Sequence, residues 1–479
     1  MRRHAPRVVV AVAVLCVAGL IAGGLGAEVR DAPGDQLIHA DVTRTLGYTG
    51  KGVTVAVLDT GIDDHNPDLA RGVVAEHCIV EPDGCPDGSA EQDGPGSAQD
   101  DQGHGSAVAD VIAGAGETDP IGVAPDASLV VVKVADRNGR TSTQQIVAGL
   151  NWVLAHHPEV KVVNVSLGSD ILFSGDCTRL TASLSAYGTA IDALRANGTT
   201  VFASAGNRGF PYSMTSPACI HAAVAVGAVY SRSFGSYTAP DVCRDRTTAP
   251  DQVACFSDSS TELDLLAAGA PVEAAGLGSE DLLFAGTSAA SAQAAGAAAA
   301  LLQAEPALTP DTLVALLRST GIPITDPRNR LTTPRIDLAA ALAEVLGRPV
   351  PVPPPPPGTP GPGTPPVLAR PTVPEATVSD KPISFGSVAL NSSVTRRLVI
   401  RNSGTGYLTV RIATSLPSVS THPAKLTIPS SQQGTVVLTF RPQHAGVYRG
   451  RLRLQTDDPY SPSITVAMRG IGRSPTPLQ

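Results

Sequence analysis

Short, nearly continuous apolar runs recur along the first half of this chain, and they restrict its fold more than any other feature. The runs are Val53–Leu58, Leu129–Val134, Val160–Val165, Thr200–Ala205 and Ala222–Val226. Runs of this kind are typical of strands buried on both faces of a parallel sheet. Helical spacing occurs in the intervening and following segments, at Ser106–Ala115, Thr143–His156, Thr181–Ala196 and Ser288–Gln303. Strands that alternate with helices predict an α/β fold with a doubly wound, mostly parallel sheet.

The 479-residue chain is long enough for more than one domain, and a proline-rich stretch divides it. Residues 28–347 contain the α/β pattern, and residues 348–376 form a predicted linker. From Pro349 to Pro366 the linker is mostly proline with glycine and threonine, a composition that favours extended polyproline II. At roughly 3.1 Å per residue this stretch would span on the order of 55 Å and act as a stiff spacer.

Residues 377–473 have a different character, and a short tail, 474–479, follows them. Turn residues such as Asn402-Ser403-Gly404 separate short alternating runs, which are Arg397–Arg401, Tyr407–Ala413, Lys425–Ile428, Val436–Phe440, Tyr448–Leu454 and Ile464–Met468. Alternating runs at close spacing predict a small all-β, antiparallel sandwich.

Residues 1–27 have the pattern of a secretory signal peptide. Arginines precede an apolar stretch at 8–21, and small residues follow it up to Ala27, where we expect cleavage. The apolar stretch is short for a membrane span, so an uncleaved N-terminal anchor is the less favoured alternative. We expect a secreted, extracellular protein with no transmembrane span after signal removal, and association with the cell envelope stays open.

Six cysteines remain after removal of this signal, an even number that suggests disulfides in an exported chain. Six cysteines allow 15 connectivities. Proximity in sequence favours Cys78–Cys85 and Cys243–Cys255, which leaves Cys177–Cys219. No Cys-x-x-Cys spacing occurs, so we expect no zinc site.

Charged residues make up 16% of the chain, and its formal net charge is −8. This balance implies no basic face, so we do not expect nucleic acid as a partner.

Three short motifs place an aspartate, a histidine and a serine among small residues. Asp59 lies in Asp-Thr-Gly at the end of an apolar run, His104 in Gly-His-Gly-Ser, and Ser288 in Gly-Thr-Ser-Ala-Ala. A serine hydroxyl becomes a nucleophile when a histidine takes its proton and a carboxylate orients that histidine. Asp-Thr-Gly also occurs in aspartic peptidases, but their mechanism needs two carboxylates and this chain has one such motif.

The order aspartate, histidine, serine resembles the subtilisin-like serine peptidases (peptidase S8), and the resemblance spans residues 38–343. It implies a serine endopeptidase that hydrolyses peptide bonds in polypeptide substrates, with Asp59, His104 and Ser288 as the catalytic triad. Asn207, in Ser-Ala-Gly-Asn, corresponds to the family's oxyanion asparagine. The resemblance implies substrate contacts at Ser166, Leu167, Gly168, Ala205 and Gly206.

The C-terminal region resembles the immunoglobulin-like modules of bacterial surface and secreted proteins, which leaves a cell-envelope or surface ligand open. Phe385-Gly386, Asn402-Ser403-Gly404 and Phe440-Arg441-Pro442 are among the residues that carry this resemblance.

The family usually has a proline and a histidine at the fourth and fifth positions after the serine. This chain departs from that pattern, since Ala292 and Gln293 occupy these positions. This departure motivates a second hypothesis, a catalytically silent fold that acts in surface binding. About thirty residues separate Ala27 from Asp59, and Gln36–Leu46 has the pattern of the domain's own first helix. We therefore expect no full pro-segment, and folding either without one or with another helper.

The resemblance implies that calcium can stabilise the fold and that catalysis needs no cofactor. The candidate calcium ligands show no spaced loop, so solvated charges are the favoured interpretation; they are Asp63, Asp64, Asp100 and Asp101.

Overall fold

In a computed structural model, the structure describes residues 30–239, 242–279, 281–352, 376–378, 382–402, 408–428, 432–456 and 463–474. The helices are α1 (Pro33–Leu37), α2 (Ala40–Thr45), α3 (His104–Ala113), α4 (Thr143–His156), α5 (Ala182–Ala196), α6 (Thr287–Ala304), α7 (Pro310–Thr320) and α8 (Leu338–Leu346). The predicted signal peptide and most of the predicted linker and tail lie outside the described residues.

Strands β1 to β16 precede the linker. They are β1 (Thr54–Asp59), β2 (Val73–Ile79), β3 (Glu91–Asp93), β4 (Ser128–Lys133), β5 (Val162–Val165), β6 (Leu172–Phe173), β7 (Thr200–Ser204), β8 (Met214–Thr215), β9 (Val224–Tyr230), β10 (Tyr237–Ala239), β11 (Cys243–Asp245), β12 (Leu265–Ala270), β13 (Val272–Ala275), β14 (Asp281–Phe284), β15 (Ile322–Thr325) and β16 (Thr332–Arg335).

Ten of these strands form the central sheet, in the order β15-β16-β12-β9-β7-β5-β1-β4-β2-β3. The pairs from β16 to β2 are parallel, and only the edge pairs β15–β16 and β2–β3 are antiparallel. The predicted α/β fold with a mostly parallel sheet is therefore confirmed.

The alternation of side chains along β1 divides the core into two layers. Val55 and Val57 pack with α3 and α6 on one face, whereas Ala56 and Leu58 pack with α4 and α5 on the other. Next to β1, the chain passes from β4 on one side to β5 on the other. Open α/β sheets form a crevice at such a switch point, at the carboxyl ends of the strands. Asp59 lies there, as the last residue of β1.

Two short helices occupy the segment where the sequence favoured one helix over Gln36–Leu46, so that prediction was wrong. His39 separates α1 from α2, and its φ of 60° lies in the left-handed region. Its ring lies 2.9 Å from Asp337, which anchors the break to the start of α8.

The three disulfides join Cys78 to Cys85, Cys177 to Cys219 and Cys243 to Cys255, as expected. No helix within the described ranges is long and apolar enough to span a membrane.

The region after the linker is all-β. Its strands are β17 (Ala376–Val378), β18 (Ile383–Ala389), β19 (Val394–Asn402), β20 (Leu408–Thr414), β21 (Val419–His422), β22 (Lys425–Ile428), β23 (Gln433–Phe440), β24 (Gly446–Thr456) and β25 (Ser463–Arg473). They form a four-stranded sheet, β17-β19-β23-β21, and a five-stranded sheet, β18-β25-β24-β20-β22. Stacked Phe385 and Phe440 lie in the core, with ring centroids 5.1 Å apart.

Two details of this region differ from the sequence expectation. The pair β18–β25 is parallel, although the pattern predicted an antiparallel sandwich. The outer face of the five-stranded sheet carries exposed basic residues, among them Arg411, Arg451 and Arg469, although the whole-chain charge implied no basic face. The expectation of no basic face was wrong because the net charge of the whole chain averages over an acidic α/β domain and a basic all-β domain.

Candidate active site

Asp59 is fully buried, and backbone geometry directs one of its oxygens to the histidine. Its Oδ1 accepts a hydrogen bond from the Thr60 N–H at 2.8 Å and lies 2.7 Å from His104 Nδ1. Its Oδ2 is buried without a partner among the described residues. A carboxylate in this position holds the imidazole with Nδ1 protonated, which leaves Nε2 as the proton acceptor.

His104 is the first residue of α3, and a close backbone approach fixes that helix end. A β-carbon on Gly105 would lie 2.2 Å from the Gly61 carbonyl oxygen, so only glycine fits there. The Gly105 N–H donates to Thr60 Oγ1 at 2.8 Å. The loop after β1 and the start of α3 are thereby held together.

Asp100 caps the same helix. Its Oδ1 accepts hydrogen bonds from the N–H groups of Gln102 and Gly103, and its Oδ2 accepts from the N–H and hydroxyl of Ser106. Burial raises the pKa of this carboxyl, but these hydrogen bonds outweigh burial and leave the pKa below its ordinary value. Asp100 therefore remains ionised and stabilises the turn that presents His104.

Two opposing effects set the proton affinity of His104. Burial disfavours the imidazolium, but the Asp59 carboxylate outweighs it, so the pKa of His104 lies above its ordinary value. The His104 side chain is 25% exposed, and it packs edge-on against Phe284 with ring centroids 5.4 Å apart. The Asp59 carboxylate thus orients the ring, and part of the ring remains exposed to solvent.

Ser288 lies in the first turn of α6, which begins one residue earlier, at Thr287. Its hydroxyl donates to the Ser166 carbonyl oxygen at 3.2 Å and forms no hydrogen bond with His104 in the described structure. In return, the Ser166 hydroxyl donates to the Ser288 carbonyl oxygen at 3.0 Å. This reciprocal pair joins the residue after β5 to the start of α6.

Asn207 lies beside the start of α6 with its amide orientation fixed. Its Oδ1 accepts hydrogen bonds from the Thr287 N–H at 2.8 Å and the Thr287 hydroxyl at 2.9 Å. The Nδ2 group of this exposed residue has no acceptor in the described structure, and it faces Gly286, where a β-carbon would lie 3.1 Å away. An unbonded N–H donor beside a helix N-terminus can hold a developing oxyanion.

Asp258 supports the loop that carries Asn207. Its N–H donates to the Gly206 carbonyl oxygen at 2.9 Å, and its Oδ1 accepts from the N–H groups of Arg208 and Phe210 at 3.2 and 2.7 Å. Its Oδ2 is buried without a partner among the described residues. Burial is the main cause that raises the pKa of Asp258 to about 7.

The expected substrate-contact residues lie around this loop and the end of β5. Leu167 and Ala205 are buried, whereas Gly168 is exposed. A β-carbon on Gly206, whose φ is +117°, would lie 2.3 Å from Asp258 Oδ2, so the loop requires glycine there. The contacts of these residues with substrate stay a prediction.

The departure at Ala292 and Gln293 has a structural explanation. Both residues are fully buried in α6. Gln293 Oε1 accepts from the Ala268 N–H at 3.1 Å, and its Nε2 donates to Asp35 Oδ1 at 3.3 Å. Gln293 therefore joins α6 to β12 and to the N-terminal segment, and burial raises the pKa of Asp35 to about 6.

Of the four candidate calcium ligands, Asp63, Asp100 and Asp101 accept hydrogen bonds from protein donors, whereas Asp64 Oδ1 is buried without a hydrogen-bond donor among the described residues. Asp63 accepts hydrogen bonds from the N–H groups of His65 and Gly278, and Asp101 accepts from the buried Lys133 ammonium at 2.7 Å. Asp63, Asp64 and His65 place one ligand atom each within 4.8 Å of one another, but both Asp63 oxygens serve the fold. Calcium binding stays a prediction for which these contacts offer no support.

Several residues of the site were not identified from the sequence as parts of it. Asp100 could have been found, because an acidic residue just before a helix is a capping signal. Thr287 and Asp258 had no local signal, since their partners lie 80 and about 50 positions away in the chain.

Comparisons with known proteins agree with this architecture. The family model described as Peptidase S8, Subtilase family, matches residues 50–339, and a model described as a HYDIN/CFA65/VesB-like, Ig-like domain matches residues 374–471. The chain is 33% identical to subtilisin E of Bacillus subtilis over 280 residues, which cover 58% of this chain and 62% of that protein. It is 34% identical to subtilisin BL of Lederbergia lenta over 275 residues, which cover 57% of this chain and 84% of that protein.

A solved protease structure from Pseudoalteromonas arctica superposes with a TM-score of 0.53 at 25% identity, over 64% of this chain and 94% of that one. The chain thus spans under two thirds of the length of subtilisin E, yet the subtilase match covers more than half of the chain itself. The chain belongs to the subtilase family and contains an Ig-like domain at its C-terminal side.

Proposed function

We propose that this chain is a secreted serine endopeptidase that hydrolyses peptide bonds in polypeptides. The observation that carries the proposal is the 2.7 Å pairing of buried Asp59 with His104. Asp59 and Asn207 lie at the carboxyl ends of the parallel strands β1 and β7, and the Ser288 hydroxyl donates to Ser166, just after β5. Export is supported by the signal-like residues 1–27 and by three disulfides, which persist in oxidising compartments.

In the proposed reaction, the Ser288 hydroxyl turns from the Ser166 carbonyl to His104 Nε2, which takes its proton as Oγ attacks the substrate carbonyl. The oxyanion accepts hydrogen bonds from Asn207 Nδ2 and from the Ser288 N–H. His104 then gives its proton to the leaving amine, and water hydrolyses the acyl-enzyme by the same route. Asp59 stabilises the imidazolium in each half of the cycle.

A catalytically silent binding protein is the competing function. The hydrogen bond from the Ser288 hydroxyl to Ser166, instead of to His104, is the observation that favours it. A serine-reactive fluorophosphonate probe separates the two functions. The endopeptidase proposal predicts labelling of the full chain, loss of labelling in Ser288→Ala, and retention in the matched control Ser169→Ala, a half-buried serine near the same cleft.

Absence of labelling in correctly folded protein would favour the silent alternative. If labelling occurs, cleavage-site profiling with a peptide library defines the side-chain preference. The small residues Gly168, Ala205 and Gly206 predict an open apolar pocket for the residue before the scissile bond.

A further inference from the structure

The charges of this chain are divided unequally between its two domains. Residues 28–347 contain 18 Lys or Arg and 39 Asp or Glu, a formal charge of −21. Residues 377–473 contain 12 Lys or Arg and 3 Asp or Glu, a formal charge of +9. The basic Ig-like domain is therefore joined to a strongly acidic catalytic domain.

Half of the twelve cations project from the outer face of the five-stranded sheet, which we call the arginine face. Along β24, exposed arginines at 449, 451 and 453 alternate with inward residues, of which Leu452 and Leu454 are fully buried. The residues of the arginine face are all exposed, and they are Arg411, Lys425, Arg449, Arg451, Arg453 and Arg469. They come from four adjacent strands, β22, β20, β24 and β25.

The strand register places like charges directly opposite each other on this face. Arg411 pairs with Lys425, and Arg449 pairs with Arg469. Like charges in such positions destabilise a sheet. No side chain of the arginine face forms an ion pair or a hydrogen bond in the described structure, so an external anion would relieve this repulsion.

The arginine face is broad and lacks aromatic side chains. Neighbouring strands lie about 4.8 Å apart and successive outward residues about 6.8 Å apart, so the cations form a two-dimensional array. The outward neighbours on these strands are small or polar, such as Ala413, Gln455, Thr465 and Ala467. Single-stranded nucleic acids are bound by stacking on aromatic side chains, which the described outward positions of this face do not offer.

We propose that the arginine face binds the surface of an anionic lipid bilayer. A planar array of unpaired cations is complementary to a planar array of anionic headgroups, and each such residue adds to the attraction near the surface. The acidic catalytic domain is repelled by the same surface, so the Ig-like domain is the part of the chain that contacts the lipid. The proposal does not depend on peptidase activity.

Vesicle flotation tests the proposal on the full chain carrying Ser288→Ala, which prevents self-digestion. We expect binding to vesicles of phosphatidylglycerol and phosphatidylcholine, no binding to vesicles of phosphatidylcholine alone, and release as salt rises from about 0.05 M to about 0.5 M. The double variant R451Q/R453Q should lower the partition coefficient about 25-fold, or about fivefold for each arginine.

The matched control is R397Q/R401Q, which removes two exposed arginines, four residues apart, from β19 in the opposite sheet. It should change the partition coefficient less than about twofold, because the screening length is about 8–10 Å. Unchanged thermal melting of both variants establishes that they fold. Equal loss in both variants, equal binding to neutral vesicles, or binding of DNA but not of vesicles would each overturn the proposal.

Discussion

The substitution Asp258→Asn tests whether a buried carboxyl behind the oxyanion loop makes the stability of the catalytic domain depend on pH. Asp258 is fully buried, and its Oδ1 accepts two backbone hydrogen bonds from the loop. Asparagine retains the volume and that acceptor but cannot ionise. The variant therefore removes the charge and keeps the local geometry.

The structure gives the sign and size of the effect. Burial raises the pKa of Asp258 from 3.8 to about 7. A pKa that is higher in the folded state contributes stability below pH 3.8, and this contribution is lost as pH rises through about 7. At about 1.36 kcal/mol per pKa unit, the full loss is on the order of 4 kcal/mol, of which about 3 kcal/mol falls between pH 5 and pH 9.

Urea unfolding of the full chain in the Ser288→Ala background measures this loss. We expect the free energy of unfolding of the Asp258→Asn protein, relative to its parent, to increase by about 3 kcal/mol from pH 5 to pH 9. Other titrating groups, such as Asp35, are common to both proteins and cancel. A fixed effect of the new amide group is the same at each pH and also cancels.

Asp136→Asn is the matched control. Asp136 Oδ1 also accepts two backbone hydrogen bonds, from Asn138 and Arg140, but in an exposed loop. Burial raises the pKa of Asp136, but the hydrogen bonds from Arg140 and Asn138 together outweigh burial, so the pKa lies below its ordinary value. This carboxyl is ionised in both states throughout the range, so its substitution should give a constant difference. If Asp258→Asn also gives a constant difference, the reasoning from burial is refuted.

Three further predictions concern catalysis and the joint between the helix and the N-terminal segment. Asn207→Ala should lower kcat by about 10²–10³ with little change in KM, as recorded for the oxyanion asparagine of a subtilisin, and steady-state kinetics that show an unchanged kcat would contradict this role. The kcat/KM value should rise with pH through an apparent pKa above 6.5, because Asp59 raises the pKa of His104; in Asp59→Asn the residual activity should titrate at lower pH. Gln293→Leu leaves the Asp35 carboxyl without this donor and should reduce the free energy of unfolding by about 1–3 kcal/mol in urea denaturation, whereas an unchanged value would show that the contact is dispensable.

Local pattern predicted the parts of the fold in which neighbouring residues share one environment. The run Val53–Leu58 identified β1 because a central strand is buried on both faces. The single helix expected over Gln36–Leu46 failed because His39 adopts a left-handed backbone where it meets Asp337, almost three hundred residues away. The sequence predicted no strand at β18 or β21, because apolar and polar residues alternate weakly there. These strands form by pairing with β25 and β23.

Sequence alone determined the chemistry available to this protein, because an aspartate, a histidine and a serine in small-residue motifs, in that order along the chain, indicate the reaction class. It also determined the layered α/β core, since strand and helix periodicity is a local property. Only the tertiary structure decided that Thr287 and Asp258 hold the Asn207 loop, and that arginines from four strands share one face. Hydrogen bonding, burial and charge repulsion at these places act between residues far apart in the chain, and no local pattern records such pairs.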